Sequence, residues 1–183
     1  MKGDVGPPGQ CQCNVSEVIE LRERLDELEQ DLCLVGVKSG KVEDEDMTAL
    51  SIFDDYYAAH EGRLDRTDGG GNCWQPPASA WRSPGEWLQV DLKTPTTMTG
   101  VVTQGRPDSS KWVTSFKIAF GNFTDHLKMI QDFDEEDVIF RGNRDRSSHV
   151  VNMFPNPVTA RYFRLIVQTF HDFIALRLDY LTC

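Results

Sequence analysis

Long apolar runs and basic residues are scarce in this sequence. No stretch of its 183 residues approaches the roughly 20 apolar residues that a transmembrane helix requires. Lys and Arg number 19 against 29 Asp and Glu, so the formal net charge is −10. Such a chain lacks the cationic surface that non-specific nucleic-acid binding needs, and charge alone would not hold it on an acidic membrane.

Motifs of the common catalytic centres are also missing. The sequence has no Gly-x-Ser-x-Gly, His-Glu-x-x-His, phosphate-binding loop or Cys-x-x-Cys pair, and its four histidines are scattered. We therefore expect a protein that is not an enzyme and requires no cofactor. Polar residues and glycine follow Met1 directly instead of a secretory signal, which indicates a cytosolic chain or a piece of a longer one.

Aromatic residues are absent before Cys33, and all 10 Phe, 4 Trp and 4 Tyr come after it. An aromatic-rich core therefore belongs to residues 33–183. The first 32 residues have a different role.

Glycine recurs at every third position at the start of the chain, at Gly3, Gly6 and Gly9. Only glycine fits at the axis of a collagen triple helix. Residues 1–13 are thus predicted to end a collagen-like repeat, with Cys11 and Cys13 forming interchain disulfides. The alternative is a flexible Gly/Pro-rich linker carrying two free thiols.

Residues 14–32 have the pattern of a parallel coiled coil. Glu17 faces Arg22 and Arg24 faces Glu29 at opposed g and e positions, and both pairs are opposite in charge. Valine at a with leucine at d favours dimers, but a collagen repeat needs three chains, so we predict a homotrimer. A lone amphipathic helix is the alternative. The apolar seam consists of Val18, Leu21, Leu25, Leu28 and Leu32.

Short alternating segments separated by turn residues fill the rest of the chain. One face of 111–120 carries Trp112, Thr114, Phe116, Ile118 and Phe120. Similar alternation occurs in 87–92, 162–167 and 175–181, with clusters of Gly, Pro, Asn and Asp between them. This pattern predicts an all-β sandwich or barrel.

A set of motifs in this region resembles the discoidin family, also called the factor V/VIII type C domain. The resemblance covers residues 33–183 and implies an eight-stranded jelly-roll barrel with ligand-binding loops at one end. It also implies a disulfide between Cys33 and Cys183, hence an oxidising, extracellular compartment. Cys73 is then either a buried free thiol or a link to another chain. The motifs are Gly62-Arg-Leu-Asp65, Trp87-Leu-Gln-Val-Asp-Leu92, Gly100-Val-Val-Thr-Gln-Gly-Arg106, Trp112-Val-Thr-Ser-Phe-Lys117, Phe140-Arg-Gly-Asn143, Ala160-Arg-Tyr-Phe-Arg164 and Ile174-Ala-Leu-Arg-Leu178.

The resemblance places ligand contacts on three loops, of which the second, 65–74, is flexible and polar. The first, 51–60, offers four apolar or aromatic side chains but also Asp54 and Asp55, which disfavour an anionic lipid surface. Burial of Phe53 and one tyrosine beneath the loop is the alternative. The third loop, 106–111, has a cation at each end, and a solvated turn is its alternative. The candidate contact residues are Ile52, Phe53, Tyr56, Tyr57, Arg106, Asp108 and Lys111.

Two further kinds of site are candidates. Glu43, Asp44 and Asp46 supply oxygen atoms of the type that calcium prefers, although no EF-hand spacing is present. Asn122-Phe-Thr is an N-glycosylation sequon after a predicted strand. Asn14-Val-Ser is another, but a glycan there conflicts with a packed seam.

Together these features predict a secreted trimeric adhesion or recognition protein whose ligand is a cell-surface or matrix glycan or protein. A phosphatidylserine-binding module is the first alternative. A structural cap in matrix assembly is the second.

Overall fold

The computed structural model of the chain describes Ser16, residues 18–20 and residues 33–183. Two compact units are present, Met1–Cys33 and Leu34–Cys183. In the first unit, Ser16 and residues 18–20 are helical. The collagen-like repeat, Cys11, Cys13 and most of the coiled coil lie outside the described residues and stay predictions. No helix in the described ranges is long and apolar enough to cross a membrane.

The second unit is a β-domain. Seven strands of the described chain join in one sheet with order β1-β2-β6-β3-β4, while β5 pairs with β3 and β7 pairs with β2. All of these pairings are antiparallel. The strands are β1 (Met47–Ala49), β2 (Trp87–Gln104), β3 (Trp112–Gly121), β4 (Lys128–Met129), β5 (Phe140–Arg141), β6 (Val150–His171) and β7 (Arg177–Leu181). Three single 3₁₀ turns precede β2, at Asp44–Asp46, Asp55–Tyr57 and Ala59–Gly62.

The expected all-β jelly-roll domain is present, but the expectation of eight strands in a closed barrel needs correction. Seven strands are formed in the described part of the chain, and their sheet is not closed. The difference arises because β2 and β6 are unusually long, at 18 and 22 residues, and are bent at β-bulges. The start of β2 pairs with β1 and its end pairs with β7, so a single strand occupies two positions.

A bulge also changes which side chains of β3 face the core. The expected alternation holds for Phe116 and Ile118, which are fully buried. It fails at the start of the strand, where the register against β6 shifts on both sides of Ser115. As a result Val113 faces the core and Trp112 turns outward. The sequence pattern could not reveal this shift because an extra residue in one strand leaves the apolar composition unchanged.

Two charged residues that interrupt the apolar pattern of β7 are buried. The guanidinium of Arg177 donates to the backbone oxygens of Gly105, Arg66 and Arg146 at 2.8, 3.0 and 3.2 Å. The Asp179 carboxylate accepts backbone N–H groups, including that of Lys38 at 2.8 Å. Burial nevertheless raises the pKa of Asp179. These hydrogen bonds explain how the strand keeps two charged groups inside the domain.

The cysteines agree with the expected arrangement as far as the structure shows it. Cys33 and Cys183 are both disulfide-bonded. Cys73 is a free and fully buried thiol, and burial raises its pKa to about 12. A link from Cys73 to another chain would require this side chain to leave the core.

We expect Cys73 to resist alkylation in the native protein, because a buried thiol with this pKa supplies about a thousandfold less thiolate at pH 8 than an ordinary cysteine. Iodoacetamide treatment followed by peptide mass spectrometry measures this. The peptide containing Cys73 should be alkylated only after unfolding in guanidinium. Without reduction, the peptides of Cys33 and Cys183 should appear as one linked species. Rapid native labelling of Cys73, or a disulfide to it, would contradict this assignment.

Candidate functional site

The candidate ligand loops lie at one end of the sheet. Trp112, the first residue of β3, pairs with His171, the last residue of β6. The loop that precedes β3 and the turn that follows β6 therefore leave the sheet side by side. This register brings Lys111 close to Phe173, although the two are far apart in sequence.

Five aromatic side chains at this end form a continuous row, which we call the aromatic platform. Tyr56 packs edge-on against Tyr57 with ring centroids 5.4 Å apart, and Tyr57 packs edge-on against Phe53 at 5.6 Å. Phe53 stacks on Trp81 at 5.6 Å, and Trp81 contacts Phe173 at 4.8 Å. Each contact has the separation and offset geometry that aromatic pairs favour. Three separate chain segments thus supply one surface.

Three cations lie over the rings of the platform. The guanidinium carbon of Arg106 is 5.0 Å from the centre of the Tyr57 ring. Lys111 Nζ lies 5.0 Å from the centre of Phe173 and 5.8 Å from that of Trp81. Arg82 covers Phe173 at 4.7 Å. These distances are in the range of cation–π attraction. The cations therefore stabilise the positions of the aromatic rings and also give this surface positive charge.

The three cations differ in what else they bind. Arg106 forms a two-pronged ion pair with Asp108 at 2.6 and 3.1 Å and also donates to Gln75 at 3.4 Å. This pairing lowers the pKa of Asp108. Arg82 approaches Asp172 to 3.6 Å. Lys111, by contrast, has no ion-pair partner within the described part of the chain.

Backbone hydrogen bonds hold the first loop in position. The N–H of Phe53 donates to the oxygen of Gln75 at 2.9 Å, and the Asp54 carboxylate accepts the N–H of Tyr56 at 2.9 Å. The N–H of Gly71 donates to the oxygen of Tyr56, which ties the glycine-rich loop to the platform. A Cβ atom at Gly71 would collide with the Tyr57 ring, so this approach requires glycine.

Exposure varies along the platform. Tyr56 is 57% exposed, Phe53 41% and Ile52 38%, so these side chains are open to a ligand. Tyr57 is half-buried beneath them. The structure thus brings together six of the seven residues proposed from the sequence as ligand contacts, namely Phe53, Tyr56, Tyr57, Arg106, Asp108 and Lys111. Ile52 lies on the same loop next to Phe53.

Sequence reasoning did not identify Trp81, Arg82 and Phe173 as parts of this site. Trp81 and Arg82 lie in a turn-rich segment without alternation, where no period marks a functional side chain. Phe173 belongs to a turn that the sequence shows, but its position beside Lys111 depends on the pairing of β3 with β6. His171, the last residue of β6, stacks on Trp112 at 4.2 Å. These contacts can be recognised only when the order and register of the strands are known.

The candidate calcium ligands do not converge. Asp44 pairs with Arg63, a contact that lowers the pKa of the carboxyl, and Asp46 pairs with Lys93. Residues 33–183 together with the described helical residues contain no group of three His, Cys, Asp or Glu side chains placed to hold a metal ion. Arg63 and Lys93 supply the counter-charge that calcium would otherwise provide. Calcium therefore has no part in the function proposed below.

A cavity of about 820 Å³ lies beside these acids. Its cations are paired internally: Lys38 binds Asp65 at 3.1 Å, and Arg66 binds Glu61 at 2.9 Å. No aromatic side chain lines it. It therefore offers neither a stacking face nor an unpaired cation of the kind found on the platform.

The sequon asparagine lies in the turn after β3. Asn122, Phe123 and Thr124 are all exposed, and the Asn122 side-chain oxygen accepts the N–H of Arg161 at 3.1 Å. This turn follows the end of β3 opposite to Trp112 and the platform. Glycosylation of Asn122 stays a prediction, and a glycan there would leave the platform uncovered.

Similarity to curated proteins covers most of the chain. It is 35% identical over 158 residues to the human EGF-like repeat and discoidin I-like domain-containing protein 3, an alignment that covers 81% of this chain and 32% of that protein. Mouse lactadherin is 34% identical over 157 residues, with 81% and 33% covered. Mouse retinoschisin is 33% identical over 156 residues, with 81% and 67% covered. The chain thus spans about a third of the length of the first two relatives.

Solved structures share the fold at lower identity. Discoidin II from Dictyostelium discoideum matches with a TM-score of 0.66 and 20% identity, covering 75% of this chain and 54% of that one. CpGH89CBM32-5 from Clostridium perfringens, solved in complex with GalNAc-β-1,3-galactose, matches with a TM-score of 0.61 and 14% identity, covering 76% and 98%. The model of the F5/8 type C domain family matches residues 46–179. The chain therefore belongs to the F5/8 type C, or discoidin, domain family.

Proposed function

We propose that this chain is a non-catalytic recognition protein that binds a cell-surface or matrix glycan through the aromatic platform. The observation that carries the proposal is the row of five aromatic rings, in which Tyr56 at one end and Phe53 in the middle are exposed. Sugar rings stack their apolar faces on such side chains, while their hydroxyls take hydrogen bonds from nearby polar groups. Asp108 and Arg106 provide acceptors and donors beside Tyr57.

The solved complex with GalNAc-β-1,3-galactose supports a glycan as ligand, because it shows that one protein of this fold binds sugar. A protein ligand is the second candidate, since exposed aromatic and arginine side chains are also typical of protein interfaces. The site itself favours neither a deep pocket nor a metal-dependent mode of binding.

An anionic membrane fits the platform less well. Asp108 lies in the same loop as Arg106 and Lys111, and Asp54, Asp55 and Asp172 lie in the adjoining segments of the platform. Two of the three cations are already paired with an acid. Adsorption to acidic lipids gains its energy from several unpaired basic residues near the surface. Phosphatidylserine binding is thus the alternative, and a purely structural matrix cap is the second alternative.

We further propose that the protein acts outside the cell as a homotrimer. The disulfide-bonded Cys33 and Cys183 support an oxidising compartment. The collagen-like and heptad patterns of residues 1–32 support three chains. Three weak sites on one molecule gain avidity wherever the spacing of the ligands lets them bind together.

Replacing Tyr56 by Ala should weaken ligand binding by about 2 kcal/mol, the scale of an exposed interface anchor. Stability should change by only about 0.5 kcal/mol, because the side chain is mostly exposed. A glycan array read with the intact protein identifies the ligand, and titration of the variant then measures the loss. Tyr57 is less suitable for this test because it is half-buried and packs under Arg106.

Phe133→Ala is the matched control, since Phe133 is 84% exposed on the β4–β5 connection, beside the middle of β3. It should bind like the wild type. Equal binding by both variants, or binding to phosphatidylserine vesicles but to no glycan, would contradict the proposal.

Gly71→Ala should displace the Tyr57 ring and destabilise the domain by about 1–3 kcal/mol, the usual cost of adding a methyl group to a packed site. The folded variant should bind ligand more weakly than the wild type. Gly85→Ala serves as control because nothing lies within 4 Å of the added methyl, so it carries only the backbone strain of a positive φ. Urea unfolding and ligand titration measure the two effects. Unchanged binding by folded Gly71→Ala would show that the order of the platform is unimportant.

The trimer should have a mass close to three times the 20.8 kDa chain in multi-angle light scattering. On a surface carrying dense ligand, the full chain should bind 10²–10⁴-fold more tightly than a chain that starts at Cys33. Both forms should bind a soluble monovalent sugar equally. A monomer under oxidising conditions, or equal binding on the surface, would contradict trimeric avidity.

A further inference from the structure

We infer that Lys111 selects ligands that carry a carboxylate next to a sugar ring, so that the preferred glycan contains an acidic sugar. This inference rests on the proposed glycan-binding function and adds a ligand class to it. The three platform cations differ in the groups to which they are bound.

Arg106 is unavailable for a ligand anion because its guanidinium already binds Asp108 through two hydrogen bonds and reaches Gln75 with its remaining nitrogen. It acts as a positioning residue that holds Tyr57 and the 106–111 loop. The loop itself is closed by the N–H of Arg106, which donates to the oxygen of Lys111 at 3.0 Å. Arg82 is largely exposed and lies near Asp172.

Lys111 is arranged differently. Its ammonium group lies over two aromatic faces, those of Trp81 and Phe173, and no carboxylate within the described residues forms an ion pair with it. Aromatic rings attract a cation without neutralising it, so the charge of Lys111 remains available to an anion. An ammonium with three donors can bind a carboxylate as a charge-assisted hydrogen-bond partner.

The geometry suits a single ring with an attached carboxylate. The Phe53 ring stacks on Trp81 with centroids 5.6 Å apart and is partly exposed, and Lys111 Nζ lies 5.8 Å from the centre of the same Trp81 ring. A pyranose that contacts the exposed part of Phe53 would thus lie one aromatic ring away from the ammonium group, towards which a carboxylate substituent can be directed. The acids of the neighbouring loops, Asp54, Asp55, Asp108 and Asp172, would repel a densely charged polyanion. One carboxylate is favoured over many.

The test compares sugars that differ only in oxidation of the exocyclic carbon: methyl glucuronide with methyl glucoside, and methyl galacturonide with methyl galactoside. Binding to the intact protein is followed by calorimetry. In at least one pair, the acid should bind about tenfold more tightly, the scale of a hydrogen bond to a charged group. The preference should shrink between 50 and 500 mM salt, because an exposed ion pair is screened.

Lys111→Met should remove the preference, so that the acid and the neutral sugar of each pair bind alike, since methionine keeps the apolar stem over the rings but carries no charge. Lys111→Arg should retain the preference. Lys128→Met, a change at an exposed lysine on β4, is the matched control and should behave like the wild type.

Equal affinity for the acid and the neutral sugar in every pair would overturn the inference but leave glycan binding intact. A preference that survives in Lys111→Met would also overturn it. Failure of all four sugars to bind would overturn this inference, while the glycan array read with the intact protein decides the glycan-binding function separately.

Discussion

The hydrogen bonds of the buried Arg177 guanidinium hold the end of the domain that carries the aromatic platform. Arg177 is the first residue of β7, and its nitrogens donate to backbone oxygens of three different connecting segments, at Gly105, Arg66 and Arg146. Loops rarely have enough regular hydrogen bonding to hold a position by themselves. The planar guanidinium has five N–H donors in fixed directions, and from its buried position it supplies hydrogen bonds to these loops.

A second polar group extends this support. The Gln104 side chain accepts the N–H of Asp65 at 2.9 Å and donates to the oxygen of Ser147 at 2.9 Å. Asp65 in turn binds His149 at 2.7 Å and Lys38 at 3.1 Å. The hydrogen bond with His149 and the contact with Lys38 hold the pKa of Asp65 well below its usual range. The connecting segments next to Arg106 are therefore held by polar contacts in addition to the burial of apolar side chains such as Leu64 and Trp74.

This arrangement explains which features the sequence could predict. Alternation gave the all-β class and located strands correctly at Trp87 and Trp112, because half-buried strands carry a period of two. The family resemblance predicted Phe53, Tyr56 and Arg106 as ligand contacts, and all three contact the Tyr57 ring. Their role in ligand binding stays a prediction. The bulge near Ser115 and the fusion of short segments into β6 were not predictable, since the register between distant strands leaves no local pattern. For the same reason Trp81 and Phe173 were missed.

The pairing of charges on the platform has a consequence for selectivity. Arg106 beside Asp108 and Arg82 beside Asp172 present dipoles rather than net charge, so they favour hydroxyl groups over strongly charged ligands. Lys111 is different because aromatic faces surround its charge without cancelling it. A flat surface of this kind makes few contacts with a single sugar and is expected to bind one site weakly. In the proposed glycan-binding function, selectivity then depends on the position of one cation, and in the proposed trimer the overall strength depends on how many domains bind the same surface at once.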